Sequence, residues 1–172
     1  MKILISDKMS NKVEDVLKSK SIDYDIKTGL EPNELKSIID DYDGILIRSA
    51  TKLTSDILAN CSNLKVIGRA GVGVDNVDLD VATQNKILVM NTPLGNLEAT
   101  AELTVGLMFS LYRHIHLANA STHEGKWEKS KFMGIELKGK TLGIVGFGNI
   151  GQRVAEICNV IGMHILTNSN SA

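Results

Sequence analysis

Up to Met90, short apolar runs bounded by polar turns alternate with segments whose apolar residues recur every three to four positions. The runs are Lys2 to Ser6, Ile22 to Lys27 (where Ile22, Tyr24 and Ile26 alternate), Gly44 to Ile47, Leu64 to Gly68 and Ile87 to Met90. Each predicts a strand. The helical patterns between them are Val13, Val16 and Leu17; Leu35, Ile38 and Ile39 after Pro32; Ile57 and Leu58 after Thr54; and Leu79, Val81 and Ala82 after Asp78. Thr54 and Asp78 are residue types that cap helix starts. Strands alternating with helices in this way predict a parallel sheet with helices packed on its faces.

The rhythm breaks at Asn91 to Asn96, "NTPLGN", where Pro93 and Gly95 predict a linker. A long helix is expected from Leu97 to about Ala120, with Asn96 as N-cap. Leu103, Val105, Leu107, Met108, Phe109 and Leu111 make it apolar nearly all round, so it is expected to be buried between domains or subunits. Ser121 to Lys140 is polar and holds the single Trp127. A second alternation follows: a strand at Thr141 to Val145, a glycine turn, a helix at Ile150 to Ile161 and a strand at Met163 to Thr167.

Composition narrows the function classes. The 172 residues carry 19 Lys and Arg against 20 Asp and Glu, a formal net charge of −1. There is no basic surplus for a phosphate backbone, so nucleic acid is not expected as a partner. The N-terminal apolar run ends at Asp7 and Lys8, too short for a signal peptide, and Leu103 to Tyr112 is too short for a membrane span. Cys61 and Cys158 are far apart and form no C-x-x-C, which suits reduced core thiols. A cytoplasmic protein is expected. His114 and His116, two positions apart on a helix, do not share a face and have no partner at zinc-ligand spacing, so no metal is expected.

Gly146-Phe147-Gly148-Asn149-Ile150-Gly151 matches G-x-G-x-x-G directly after an apolar strand and at the opening of a helix. In that setting Gly146 permits the tight turn, Gly148 lets a pyrophosphate approach the backbone, and Gly151 lets the helix pack close to the strand. The helix N-terminus offers free N–H groups and partial positive charge to the anion. Dinucleotide binding is therefore expected. Where an acidic residue would bond the ribose hydroxyls, the chain has Thr167, Asn168 and Ser169. NAD is the expected cofactor, with NADP left open.

Six stretches, taken in order, resemble one family: "LIRSATKLT" from Leu46, "LKVIGRAGVGVDNVDL" from Leu64, "ILVMNTPLGN" from Ile87, "AELTVGLM" from Ala101, "GKWEKSKFMGIEL" from Gly125 and "GKTLGIVGFGNIG" from Gly139. They are similar to the D-isomer-specific 2-hydroxyacid dehydrogenases, and in particular to members that act on a phosphorylated 2-hydroxy acid. The resemblance implies an α/β chain: a flavodoxin-like substrate domain over residues 1–95, then the first β-α-β of a Rossmann NAD-binding domain over 96–172. It implies substrate contacts at Arg48, Ser49, the backbone of Val72 and Gly73, Asn96, and Lys129 reaching a neighbouring subunit. It also implies cofactor contacts at Thr104, Gly146, Gly148, Asn149, Ile150 and Gly151, with Ser169 where the acid would stand.

The residues leave local alternatives open. Arg48 could form a surface ion pair, Asn96 a helix cap, Thr104 a bond to its own helix, and Lys129 could be merely solvated. The family's catalytic Arg and His–Glu pair are implied to lie beyond residue 172. The chain is therefore expected to be incomplete, inactive by itself and homo-oligomeric when complete. A non-phosphorylated 2-hydroxy acid as substrate, or a non-catalytic module binding a nucleotide or partner, are the competing readings.

Overall fold

A computed structural model describes residues 1–169; positions 170–172, the last of the second predicted domain, lie outside the described residues. The chain divides into two units, Met1–Gly95 and the part from Asn96 onward.

The first unit holds five parallel strands: β1 (Lys2–Ile5), β2 (Asp23–Ile26), β3 (Gly44–Ile47), β4 (Val66–Arg69) and β5 (Leu88–Asn91). Their order is β2-β1-β3-β4-β5. This is the doubly wound order of flavodoxin-like sheets, in which the strand order reverses between β1 and β3. Alternating side chains split between two faces. Leu4, Ile45, Ile47, Ile67, Ile87 and Val89 pack in one core with residues of α2 (Pro32–Ile38), α3 (Ser55–Leu58) and α4 (Leu79–Gln84). Ile3, Ile5 and Leu46 face the other way, against Val13 and Leu17 of α1 (Lys12–Ser19). Beyond α1 that second face stays open, with Leu88 and Met90 of β5 exposed.

Local signals set the helix starts. Pro32 occupies the first turn of α2 while Glu31 and Glu34 form a reciprocal capping box. Asp78 Oδ1 accepts from the Val81 amide at 3.0 Å and starts α4. Thr54 precedes α3 in extended conformation, but its side chain makes no capping bond.

In the second unit, β6 (Thr141–Val145) and β7 (His164–Asn168) pair in parallel, joined by α7 (Asn149–Val160). Val154, Cys158 and Met163 form its core with Ala101, Val105 and Leu137. The single helix expected from Leu97 to Ala120 is two: α5 (Leu97–Tyr112) and α6 (Ile115–His123). The break falls at His114, which is left-handed with φ 51°. Here the Tyr112 carbonyl accepts from the Ile135 amide at 2.9 Å, so a later segment supplies a partner that a continued helix would have provided. Within this chain α5 is covered on one side. Ala101 and Val105 face the unit's core, whereas Leu103, Leu107 and Leu111, one turn apart, are exposed.

Candidate functional site

In open α/β sheets, ligands bind beyond the carboxyl ends of the strands, where the strand order reverses. In the first unit β1 and β3 are the neighbours at that point, and each is followed by a polar turn. Asp7, two residues past β1, is buried at 6% exposure. Its carboxylate accepts from the backbone N–H of Arg48 and of Thr51, the latter at 3.2 Å, and from the Thr51 hydroxyl at 2.8 Å. The turn after β3 is thus fixed through its amides, leaving Arg48 and Ser49 exposed. Arg48 makes no ion pair among the described residues; its guanidinium donates to the Lys8 carbonyl at 3.2 Å.

The carbonyls of the same turn are held from the next loop. Asn76 Nδ2 donates to the Arg48 and Thr51 carbonyls, each at 2.6 Å. Asn76 Oδ1 in turn accepts from Arg69 Nε at 3.1 Å, which fixes the orientation of the amide. Arg69 ends β4 with its side chain only 12% exposed and lies under the glycine loop: a Cβ on Gly71 would meet its guanidinium at 2.5 Å. Two further backbone bonds, Leu53 N–H to Asn76 O at 2.8 Å and Asp78 N–H to Leu53 O at 2.9 Å, tie the two loops together.

Above Arg69, the amides of Val72 and Gly73 donate no hydrogen bond among the described residues, whereas the Val72 carbonyl accepts from Asn91 Nδ2 at 2.6 Å. Two unbonded N–H groups in succession suit a carboxylate. Ser49, Lys52, Thr54, Asp75 and Asn76 line a cleft of about 570 Å³ beside these loops. Asp7, Lys52, Arg69 and Asn76 were not picked out from the sequence. A lone carboxylate or amide just past a strand is a faint signal, and only their long-range partners give these residues a role.

In the second unit the glycine turn has the geometry its spacing predicts. Gly146 adopts φ +94° and donates to the Asn168 carbonyl at 2.8 Å, extending the β6–β7 ladder into the turn. A Cβ on Gly151 would overlap the Gly146 carbonyl, so strand and helix approach as closely as glycine allows. A Cβ on Gly148 would meet nothing within 4 Å, which leaves its outer side open to a ligand. Asn149 and Ile150 form the first turn of α7, and among the described residues their amides, at the helix start, donate no hydrogen bond. Ser169 follows β7 directly and is exposed. These residues fit a dinucleotide pyrophosphate.

Asn96 immediately precedes α5 but makes no capping bond with its side chain, so helix capping does not account for it. Thr104 donates to the Thr100 carbonyl at 2.8 Å, the bond to its own helix that its sequence position also allowed. Lys129 opens a short 3-10 turn, Lys129–Phe132, and lines an open groove with Arg113 and Trp127. Next to it, Glu128 accepts from the Ser121 hydroxyl and pairs with Lys131, interactions that hold its carboxyl below the ordinary range. Among the described residues no group of three His, Cys, Asp or Glu is placed to hold a metal. None of their helices is long and apolar enough to cross a membrane.

Sheet order, clamped turns and glycine loop together match one class. The chain belongs to the D-isomer specific 2-hydroxyacid dehydrogenases, whose catalytic-domain family model matches residues 3–167. Among its relatives are the D-3-phosphoglycerate dehydrogenases of Archaeoglobus fulgidus, 43% identical over 96% of this chain, and of Homo sapiens, 48% identical over 94%. The chain spans about a third of the length of these curated relatives, 32% and 30% respectively. The NAD+-bound 3-phosphoglycerate dehydrogenase of Entamoeba histolytica superposes over 100% of this chain and 55% of its own, with a TM-score of 0.79 at 33% identity.

Proposed function

We propose that this chain supplies substrate-anchoring and dinucleotide-binding parts of an NAD-dependent oxidoreductase that oxidises D-3-phosphoglycerate to 3-phosphohydroxypyruvate, the opening step of serine biosynthesis. The observation that carries the reading is the pair of anion-receptive features beyond the carboxyl ends of neighbouring strands β3 and β4: the exposed Arg48–Ser49 turn and the Val72 and Gly73 amides, unbonded among the described residues. A guanidinium fork and a hydroxyl suit phosphate oxygens, and paired amides suit a carboxylate. The names and identities of the relatives above support the same substrate.

Gly146, Gly148, Asn149, Ile150 and Gly151 would hold the dinucleotide pyrophosphate, with Ser169 near the ribose and Thr104 near the nicotinamide; the bound nicotinamide supplies the hydride acceptor. NAD is the cofactor we assign; a neutral Ser169 does not repel a 2′-phosphate, so discrimination against NADP should be modest. Arg48, Ser49, Val72, Gly73 and Asn96 bind and orient the substrate. Lys129, beside Arg113 and the exposed Trp127, would reach the substrate of a neighbouring copy, in a homo-oligomer that covers the exposed leucines of α5. The base that takes the hydroxyl proton is not assigned to any residue of this chain.

The test is steady-state kinetics of the full-length gene product with 3-phospho-D-glycerate and D-glycerate, using NAD and NADP. The phosphorylated acid should be preferred. Arg48→Ala should raise its KM about 10- to 100-fold, the value of a charge-assisted contact, and leave D-glycerate little changed. Equal use of both acids by the unmodified protein would refute the phosphate reading.

A further inference from the structure

Besides the backbone bonds at Leu53, the two anion-receptive loops are joined by a side-chain relay. Arg69 underlies the loop that bears the Val72 and Gly73 amides and donates to Asn76 Oδ1 at 3.1 Å. The Asn76 amide then donates to both the Arg48 and Thr51 carbonyls at 2.6 Å, while Asp7 holds the amides of the same two residues. Four backbone groups of a short turn are thus engaged by two side chains from outside it. The Asn76 and Arg69 planar groups leave little freedom in how far that turn stands from the glycine loop.

We propose that Asn76 is a specificity-determining positioning residue. Through the Arg69–Asn76 bond it sets the span between the carboxylate-receiving amides and Arg48, so that one rigid frame measures a substrate charged at both ends. The inference rests on the substrate reading above. A substrate with one charged end needs only the glycine loop and should be indifferent to the spacing. Although Asn76 borders the cleft, its amide oxygen and nitrogen are engaged by Arg69 and by the Arg48 and Thr51 carbonyls, so it acts through Arg48.

The experiment uses the full-length protein, with Asn76→Ala, Asn76→Asp, Arg48→Ala and the Arg48→Ala/Asn76→Ala double variant. Asn76→Asp places a carboxylate against two carbonyl oxygens and should release the turn while keeping the Arg69 contact. Either Asn76 variant should raise KM for 3-phospho-D-glycerate about tenfold, with kcat and the KM for D-glycerate within about twofold. In the double variant, loss of Asn76 should add almost nothing to loss of Arg48, because one acts through the other. Additive effects, or equal losses on both acids, would show a merely structural role and overturn the proposal.

Hydrogen exchange separates failure of this inference from failure of the substrate reading. Asn76→Ala should speed exchange at the Arg48 and Thr51 amides about tenfold or more, whatever the substrate. Unchanged exchange there overturns the relay. Faster exchange in a protein that does not distinguish the two acids upholds the relay and refutes the phosphate reading.

Discussion

At single residues, the two later glycines of the loop do different jobs. Gly151 has no room for a side chain, because a Cβ would overlap the Gly146 carbonyl; Gly148 has room that a ligand can use. Gly151→Ala should therefore cost roughly 1 to 3 kcal/mol of stability, the usual range for forced overpacking, as read from denaturant unfolding. Gly148→Ala should leave the unfolding midpoint nearly unchanged and weaken dinucleotide binding about tenfold or more in a titration followed by fluorescence. The reverse pattern would reassign both roles. The geometry at these glycines was legible in the sequence because a turn, a close packing and an open approach are properties of adjacent backbone. Asp7 and Asn76 were not legible: their bonds to Thr51 and Arg48 cross 44 and 28 positions, and neither residue type nor local pattern announces them.

At the scale of elements, period and punctuation located the seven strands of the described residues, and most of their helices, to within a residue or two, since alternation and capping are short-range. The glycine turn, the capping box before α2 and the Asp78 cap are of this kind. The division of α5 from α6 is different. No glycine or proline marks it; a histidine adopts φ 51° because the segment around Ile135 takes the Tyr112 carbonyl. A left-handed conformation costs an L-residue roughly 1 to 2 kcal/mol. His114→Gly should leave the protein at least as stable, by up to about 1 kcal/mol after the greater freedom of glycine in the unfolded chain is counted. His114→Val should destabilise it by about 1 to 2 kcal/mol. Thermal unfolding of the pair reads the difference, and equal midpoints would contradict the strained turn.

Across the molecule, charge interactions in the first unit set a pH response. The Tyr24 hydroxyl and then Lys18 hold Glu14 below its ordinary range; Lys2 and Tyr42 do the same for Asp25, and Lys65 and the Lys2 amide for Asp43. For Asp40 desolvation is the largest influence and pushes upward, but the combined hydrogen bonds from Ser62, Asn63 and Leu64 outweigh it and leave the group lowered. A carboxyl lowered by folding stabilises above its unfolded value, about 4, and that contribution is lost as pH falls through the folded value. The unfolding midpoint should thus change little from pH 7 to 5 and drop below about pH 4, as followed by circular dichroism; a fall already complete at pH 5 would contradict these assignments. By itself the sequence determined the alternation of strands and helices, the glycine loop and the family, because each is carried by neighbouring residues or by motifs in fixed order. Only the tertiary structure decided which face of α5 stays exposed, where its helix breaks, and how Asp7, Asn76 and Arg69 lock two loops into one frame. Those outcomes depend on groups far apart in sequence that become hydrogen-bond partners only once the sheet has brought the ends of β1, β3 and β4 side by side.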